Sequence, residues 1–254
     1  MTAAIELSGV GKRYGAVAAL ADVSLVVEAG QFTALVGGSG SGKTTLLKTI
    51  NRLVAPDAGT IKVRGEDVSS LEPPVLRRRI GYVFQEVGLF PHLSVGENIA
   101  ITPKLLGWDK PRIAARIAAL LELVALPQEV AGRAPAALSG GQRQRVGVAR
   151  ALAAEPSLML MDEPFGALDP LTRDALGDDY RRLHDELGLT SVMITHDMLE
   201  ALLLADRIAV IRNGRIVAEG TPHALMNGEQ DDYVRKLMAT PRRQAERLKK
   251  LSAP

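Results

Sequence analysis

The chain of 254 residues is 46% hydrophobic and carries 31 basic against 29 acidic side chains, a formal net charge of +2. That length buries the core of one large domain or two small ones, and the near-balance of charge calls for no polyanionic partner such as nucleic acid. The absence of cysteine excludes disulfides and Cys-type zinc sites and fits a reducing compartment, and no run of about 18 apolar residues offers a membrane span.

In chain order, "MTAAIELSGVGKRYG" lacks the basic, apolar and small-residue succession of a signal peptide, so work at a membrane would need a span from another chain. Ile5 and Leu7, then Val23, Leu25 and Val27, alternate with smaller or polar residues at period two and predict strands. "FTALVGG" reads as a buried strand feeding a tight loop, and beyond it Leu46, Leu47, Ile50 and Leu53 recur at helical spacing until residues 51–56 close the segment. "IGYVFQ" (80–85) is a strand, and "PRIAARIAALLELVAL" a helix with Ile113, Ile117, Leu120, Leu121 and Val124 along one face. "PSLMLMDEP" and "TSVMITHD" are continuous apolar runs, as central parallel strands covered on both faces require. They end in acidic or histidine residues at the carboxyl edge, where open α/β sheets bind ligands. "RIAVIRNGRIVAEG" predicts a hairpin around Asn213 and Gly214. After Pro222 the chain reads as helical and polar, ending in the basic residues Arg242, Arg243, Arg247, Lys249 and Lys250, either a solvated helix end or a contact for anionic lipid headgroups.

Between a strand and a helix lies "GGSGSGKTT". Gly37, four residues, Gly42, Lys43 and Thr44 match the P-loop pattern in the strand-loop-helix context the pattern needs. Gly37, Gly38, Ser39, Gly40, Ser41, Gly42 and Thr45 turn backbone N–H groups into one concavity at a positive helix end. Lys43 would reach the β- and γ-phosphates of a nucleotide, and Thr44 would offer its hydroxyl to Mg²⁺. Asp162 stands where it can orient the metal and Glu163 where a carboxylate can polarise the attacking water. His196 and Gln85 end two further strands, placed to contact the γ-phosphate and to sense metal and water respectively. "LSGGQRQRVGVARAL" fits a capping box through Ser139 and Gln142. That does not explain the consecutive Gly140 and Gly141, whose exposed amides would make a second anion nest. A head-to-tail pair of chains would use both nests.

On these motifs the chain resembles the ATP-binding cassette (ABC) family: the P-loop, Gln85, "LSGGQ", "LMLMDEP", "GALD" and His196 stand in family order. The resemblance places Tyr14 where an aromatic stacks on adenine, though it is equally read as a surface tyrosine. It assigns Asp169 to the nucleotide site, and Thr44, Gln85 and Asp162 to Mg²⁺. It implies an α/β fold with a P-loop NTPase, RecA-like core, an N-terminal antiparallel β subdomain and an inserted α-helical subdomain. The boundaries expected are one nucleotide-binding domain over 1–254, with 1–85 and 154–221 as β subdomain plus core, 86–153 as the helical signature subdomain and 222–254 as a C-terminal helical extension. It also implies an ATPase that closes as a homodimer on ATP.

One cassette with only 86–137 between Gln85 and the signature looks like a transporter ATPase rather than a soluble ABC protein acting on nucleic acid. "NIAITPKLLGW", "LPQEVAGRAPAALSGGQRQRVGVARAL" and "RRQAERLKKLS" are similar to importer ATPases for quaternary amines such as glycine betaine, choline or carnitine, with amino-acid or polyamine import as the competing reading. Some of those carry paired C-terminal regulatory domains, before which this sequence is expected to stop. The partners implied are transmembrane permease subunits and, through them, an extracytoplasmic solute-binding protein, with this chain peripheral on the cytoplasmic side of the membrane. Val87, Leu89, Phe90 and Leu93 in "EVGLFPHLSVGENIA" are too apolar for a free loop, which suggests a groove for a coupling helix of the permease or a packed subdomain joint.

Overall fold

The alternation of the first thirty residues folds as a long antiparallel hairpin, β1 (Ala3–Tyr14) and β2 (Val17–Glu28), followed by β3 (Phe32–Val36) and α1 (Lys43–Ile50). The computed structural model describes residues 3–166, 168–228, 231–241 and 243. Ala167 of "GALD" and Arg242, Arg247, Lys249 and Lys250 of the basic end lie outside these residues. Next come β4 (Ala58–Val63), the short β5 (Glu66–Asp67), α2 (Pro73–Arg78) and β6 (Ile80–Val83). Three helices, α3 (Val95–Leu105), α4 (Lys110–Leu123) and α5 (Gly140–Leu152), stand between β6 and β7 (Leu158–Asp162). The chain continues through α6 (Pro170–Leu187), β8 (Thr190–Ile194), α7 (Met198–Leu204), β9 (Arg207–Arg212), β10 (Arg215–Gly220), α8 (Pro222–Asn227) and α9 (Asp232–Met238).

Two sheets result. One is four-stranded and antiparallel, in the order β2-β1-β4-β5; the other is six-stranded, β10-β9-β3-β8-β7-β6, parallel except for β10 at its edge. The parallel strands are buried on both faces, and their alternate residues enter two different cores. Phe32, Ala34, Val36, Met159, Met161 and Met193 face the helices. Leu35, Leu158, Leu160, Val192 and Ile194 face α1 and the antiparallel sheet. The six-stranded sheet is therefore a partition, and its carboxyl edge gathers the ends of β3, β6, β7 and β8.

Local chemistry sets the ends. Asn51 caps α1 and Arg52 turns at φ 50°, so Leu53 falls beyond the helix and is 39% exposed, although its spacing predicts a fourth residue on the buried face. β6 stops at Val83 and leaves Phe84 and Gln85 outside the strand. Ile113, Leu120 and Leu121 of α4 are buried as the periodicity predicts, while Ile117 is only partly so. Asn213 (φ 51°) and Gly214 (φ 73°) take the left-handed conformation that joins β9 to β10. Among the described residues no helix is long and apolar enough to cross a membrane.

Candidate functional site

The loop after β3 turns through Gly37 (φ 151°), Gly40 (φ 73°) and Gly42 (φ 107°). A Cβ on Gly37 would collide with the Ile211 carbonyl, and one on Gly42 with that of Ala19. Two of the pattern's glycines are thus required by the chain's own backbone. Lys43, the first residue of α1, folds back over the loop: Nζ donates to the carbonyls of Gly37 at 2.8 Å and Gly38 at 2.9 Å, and to Ser41 Oγ at 3.4 Å. Burial holds the pKa of this ammonium below the ordinary lysine value, opposed by the nearby charges of Glu163 and Asp162. A buried cation held mainly by carbonyls suits a ligand that brings negative charge. A cavity of about 230 Å³ over the loop is lined by Ser39, Ser41, Thr44, Thr45, Gln85 and Glu163, among others.

At the sheet edge, Thr44 Oγ1 donates to Asp162 Oδ1 at 3.2 Å, joining the start of α1 to the end of β7. Asp162 is 3% exposed, and burial raises its pKa against the hydroxyl's stabilising bond. Among the described residues no group of three or more His, Asp or Glu side chains gathers to hold a metal. Thr44 and Asp162 instead present two hard oxygen donors, which fits Mg²⁺ completing its shell from phosphate and water oxygens.

Glu163 sits in the left-handed region at φ 49°, unusual for a side-chain-bearing residue. Its amide donates to Ile194 O at 3.0 Å, tying the turn to the end of β8. Its carboxylate accepts from Gln85 Nε2 at 3.4 Å and lies 3.3 Å from His196 Nδ1. Gln85, Glu163 and His196 thus converge from the ends of three strands beside the P-loop.

Other candidates stand apart. Ser139, Gly140, Gly141 and Gln142 start α5, where Ser139 Oγ accepts from the Gln142 amide and the Gln142 side chain accepts from the Ser139 amide, a complete capping box. A Cβ on Gly141 would press on Leu168 Cδ2 at 3.2 Å, but one on Gly140 would meet nothing nearer than an Arg143 nitrogen at 3.9 Å. Asp169 caps α6, accepting from the Thr172 amide at 3.0 Å, and the Thr172 side chain together with this amide holds its carboxyl below the usual range. Tyr14 ends β1 and is 51% exposed, with Lys12 Nζ 5.7 Å from its ring centroid. None of these six residues lines the P-loop cavity.

Gly38 is bonded outward, its N–H donating to the hydroxyl of Tyr233 at 3.1 Å. The sequence carried no signal for Tyr233 or for Ala19, because the first reaches the loop with a hydroxyl from 195 residues away and the second with a backbone carbonyl. Gln144 was also missed: one turn into α5 and buried, it donates from Nε2 to Glu163 O at 3.4 Å. Its position two residues past "LSGGQ" was the available hint.

A second depression, of about 440 Å³, lies between the sheet edge and the helices, lined by Leu53, Tyr82, Phe84, Phe90, Ile101 and Arg150 among others. The apolar loop divides here. Leu89 packs against the helical core, while Phe90 stays 47% exposed in the groove.

Residues 20–166 match the profile of the family described as ABC transporter. The chain is 47% identical over 239 residues to the choline transport ATP-binding protein of Bacillus subtilis, covering 94% of this chain and 63% of that protein. It is 50% identical over 232 residues to a glycine betaine uptake system ATP-binding protein of Escherichia coli, covering 91% and 75%. Among solved structures, the ATP-binding cassette MJ0796, a dimer in a post-hydrolysis state bound to ADP and Pi, superposes with a TM-score of 0.81 at 33% identity, covering 86% of this chain and 98% of that one. The chain spans just under two thirds of the length of the Bacillus relative.

Proposed function

The chain belongs to the ABC transporter family, and on that premise we propose that it is the ATP-hydrolysing subunit of an importer for a small solute, a quaternary amine of the glycine betaine, choline or carnitine class. One observation carries the ATPase reading: Lys43, Thr44, Gln85 and Glu163 line a single cavity over the P-loop, with Asp162 held against Thr44 and His196 against Glu163. Lys43 exchanges loop carbonyls for phosphate oxygens. Thr44 and Asp162 would hold Mg²⁺, which would supply positive charge to the phosphates. Glu163 orients and deprotonates water, and Gln85 and His196 fix its carboxylate. The substrate class rests on the relatives, whose names specify choline and glycine betaine.

The nest at Gly140 and Gly141 serves the partner copy of a homodimer, in which Ser139, Gln142 and Asp169 approach the nucleotide of the other chain and Tyr14 stacks on adenine. The groove at Phe84 and Phe90 receives a helix of the transmembrane permease, which makes the chain a peripheral protein on the cytoplasmic face and links it to a solute-binding protein outside. Co-expression with its permease in vesicles tests the whole reading. ATP-dependent uptake of labelled glycine betaine or choline is expected. ATP hydrolysis with uptake of an amino acid or polyamine instead would replace the substrate class and keep the ATPase.

A further inference from the structure

The P-loop is held from outside as well as from within. Gly214, at the turn between β9 and β10, donates its amide to Ser41 O at 2.9 Å, and Gly42 closes on the Ala19 carbonyl of β2. The third tie comes from α9. Its Tyr233 hydroxyl accepts from the Gly38 amide at 3.1 Å, and the ring that carries this hydroxyl lies under the Arg212 guanidinium, 4.7 Å from the centroid. Tyr233 also packs on the helix-side core beside Val234 and Met238. Arg212 ends β9, immediately before the turn that buttresses Ser41, so two of the three ties share one corner of the molecule.

We propose that Tyr233 is a positioning residue of the nucleotide site, fixing the first half of the P-loop through Gly38 and so linking the C-terminal helix α9 to the occupancy of that site. The Gly38 carbonyl accepts from Lys43 Nζ at 2.9 Å and from the Ser41 amide at 3.2 Å. A peptide held on its N–H side by Tyr233 therefore presents its carbonyl to the lysine that must release it when phosphate binds. Loosening Gly38 lets the loop relax around Lys43 and lowers its readiness for phosphate. The chemistry downstream, at Glu163, is untouched. The signature of the role is thus a change in nucleotide affinity without a change in turnover, together with a reciprocal effect of nucleotide on α9, because coupling between two sites acts in both directions.

This inference rests on the ATPase reading above, and its test separates the two. Tyr233→Phe removes one oxygen and leaves the packing. Loss of a single hydrogen bond of this kind predicts a rise of about three- to tenfold in the KM for ATP, with kcat within about twofold. Adding Arg212→Ala to Tyr233→Phe should weaken binding less than the sum of the single effects, since Arg212 acts through the ring. In the wild-type chain with ATP and no magnesium, amide exchange over 232–238 should slow, and in Tyr233→Phe that response should be lost. An unchanged KM in Tyr233→Phe, or an α9 response to ATP that survives the substitution, overturns the role of Tyr233. A wild-type chain that neither binds nor hydrolyses ATP overturns the reading beneath it.

Discussion

Two glycine-rich helix starts in this chain look alike in sequence and differ in what surrounds them. At the P-loop, Gly37 and Gly42 are glycine because Ile211 and Ala19 carbonyls lie where a Cβ would go, and Lys43, Gly38 and Ser41 are bonded to the loop, to the β9–β10 turn or to α9. At the start of α5, Gly140 has open space where a Cβ would stand. Folding of one chain accounts for the first set of glycines and for Gly141, which faces Leu168, and gives no reason for Gly140. A residue whose type its own chain does not require points to something outside it, and in the homodimer proposed above that is a second copy bearing a nucleotide. The contrast is between a half-site the chain completes and a half-site it offers.

The completed half should fail most completely when its charge is removed. Lys43→Ala deletes the buried ammonium along with its desolvation cost, so the melting temperature should hold within a few degrees. Affinity for ATP should fall by about 100-fold or more, because charge-assisted contacts to phosphate are among the strongest a side chain makes. Isothermal titration with ATP checks this, and tight binding by the folded variant would remove Lys43 from the site.

Glu163→Gln should come next. The amide keeps the size of the side chain and can still meet His196, but it cannot take a proton from water, so hydrolysis should fall by about 10²- to 10⁴-fold while ATP and Mg²⁺ still bind. A stalled ATP complex should accumulate as a dimer on size-exclusion chromatography. Ser139→Arg in the same chain should abolish that dimer, because the offered half is then blocked. A variant that hydrolyses at the wild-type rate would show that Glu163 is not the water-activating carboxylate.

The sequence made the first half legible and left much of the second to inference. Lys43, Thr44, Asp162, Glu163, Gln85 and His196 were readable because each stands where an apolar strand ends or a glycine loop meets a helix, and strand ends share one edge in a parallel sheet. Leu53 misled because helical spacing continues past the point where Asn51 and a left-handed Arg52 stop the helix. Tyr233 was invisible because its contact joins segments 195 residues apart in sequence, which no local pattern encodes, and Gln144, 19 residues from its partner, left only its place just past the signature as a hint. Asp169 and Tyr14 lie away from the cavity of their own chain.

The loop between β6 and α3 sharpens the same contrast on a smaller scale, since Leu89 is used by the chain and Phe90 is offered. Leu89→Ser should cost about 1–3 kcal/mol of stability, as a packed apolar side chain is lost. Phe90→Ser should leave stability and basal hydrolysis nearly unchanged and reduce co-purification with the permease. If Phe90→Ser destabilises the fold as much as Leu89→Ser, the groove is a joint within the chain rather than a seat for a partner.

Gly140→Ala is the mildest change and the most direct test of an offered half-site. The residue is the first of α5 and its φ is not in the left-handed region, so alanine should be tolerated and should add a few tenths of a kcal/mol to helix stability, since glycine is the poorer helix former. The capping box of Ser139 and Gln142 does not involve the new methyl, so the melting temperature should stay level or rise slightly. A methyl group beside amides meant for a partner's phosphate should nonetheless crowd that approach, and the ATP-dependent dimer of the Glu163→Gln background should weaken several-fold. Thermal denaturation and size-exclusion chromatography of the same sample read the two effects separately. A lower melting temperature with an unweakened dimer would mean that Gly140 is required by its own chain after all, and the two glycine-rich starts would then be alike.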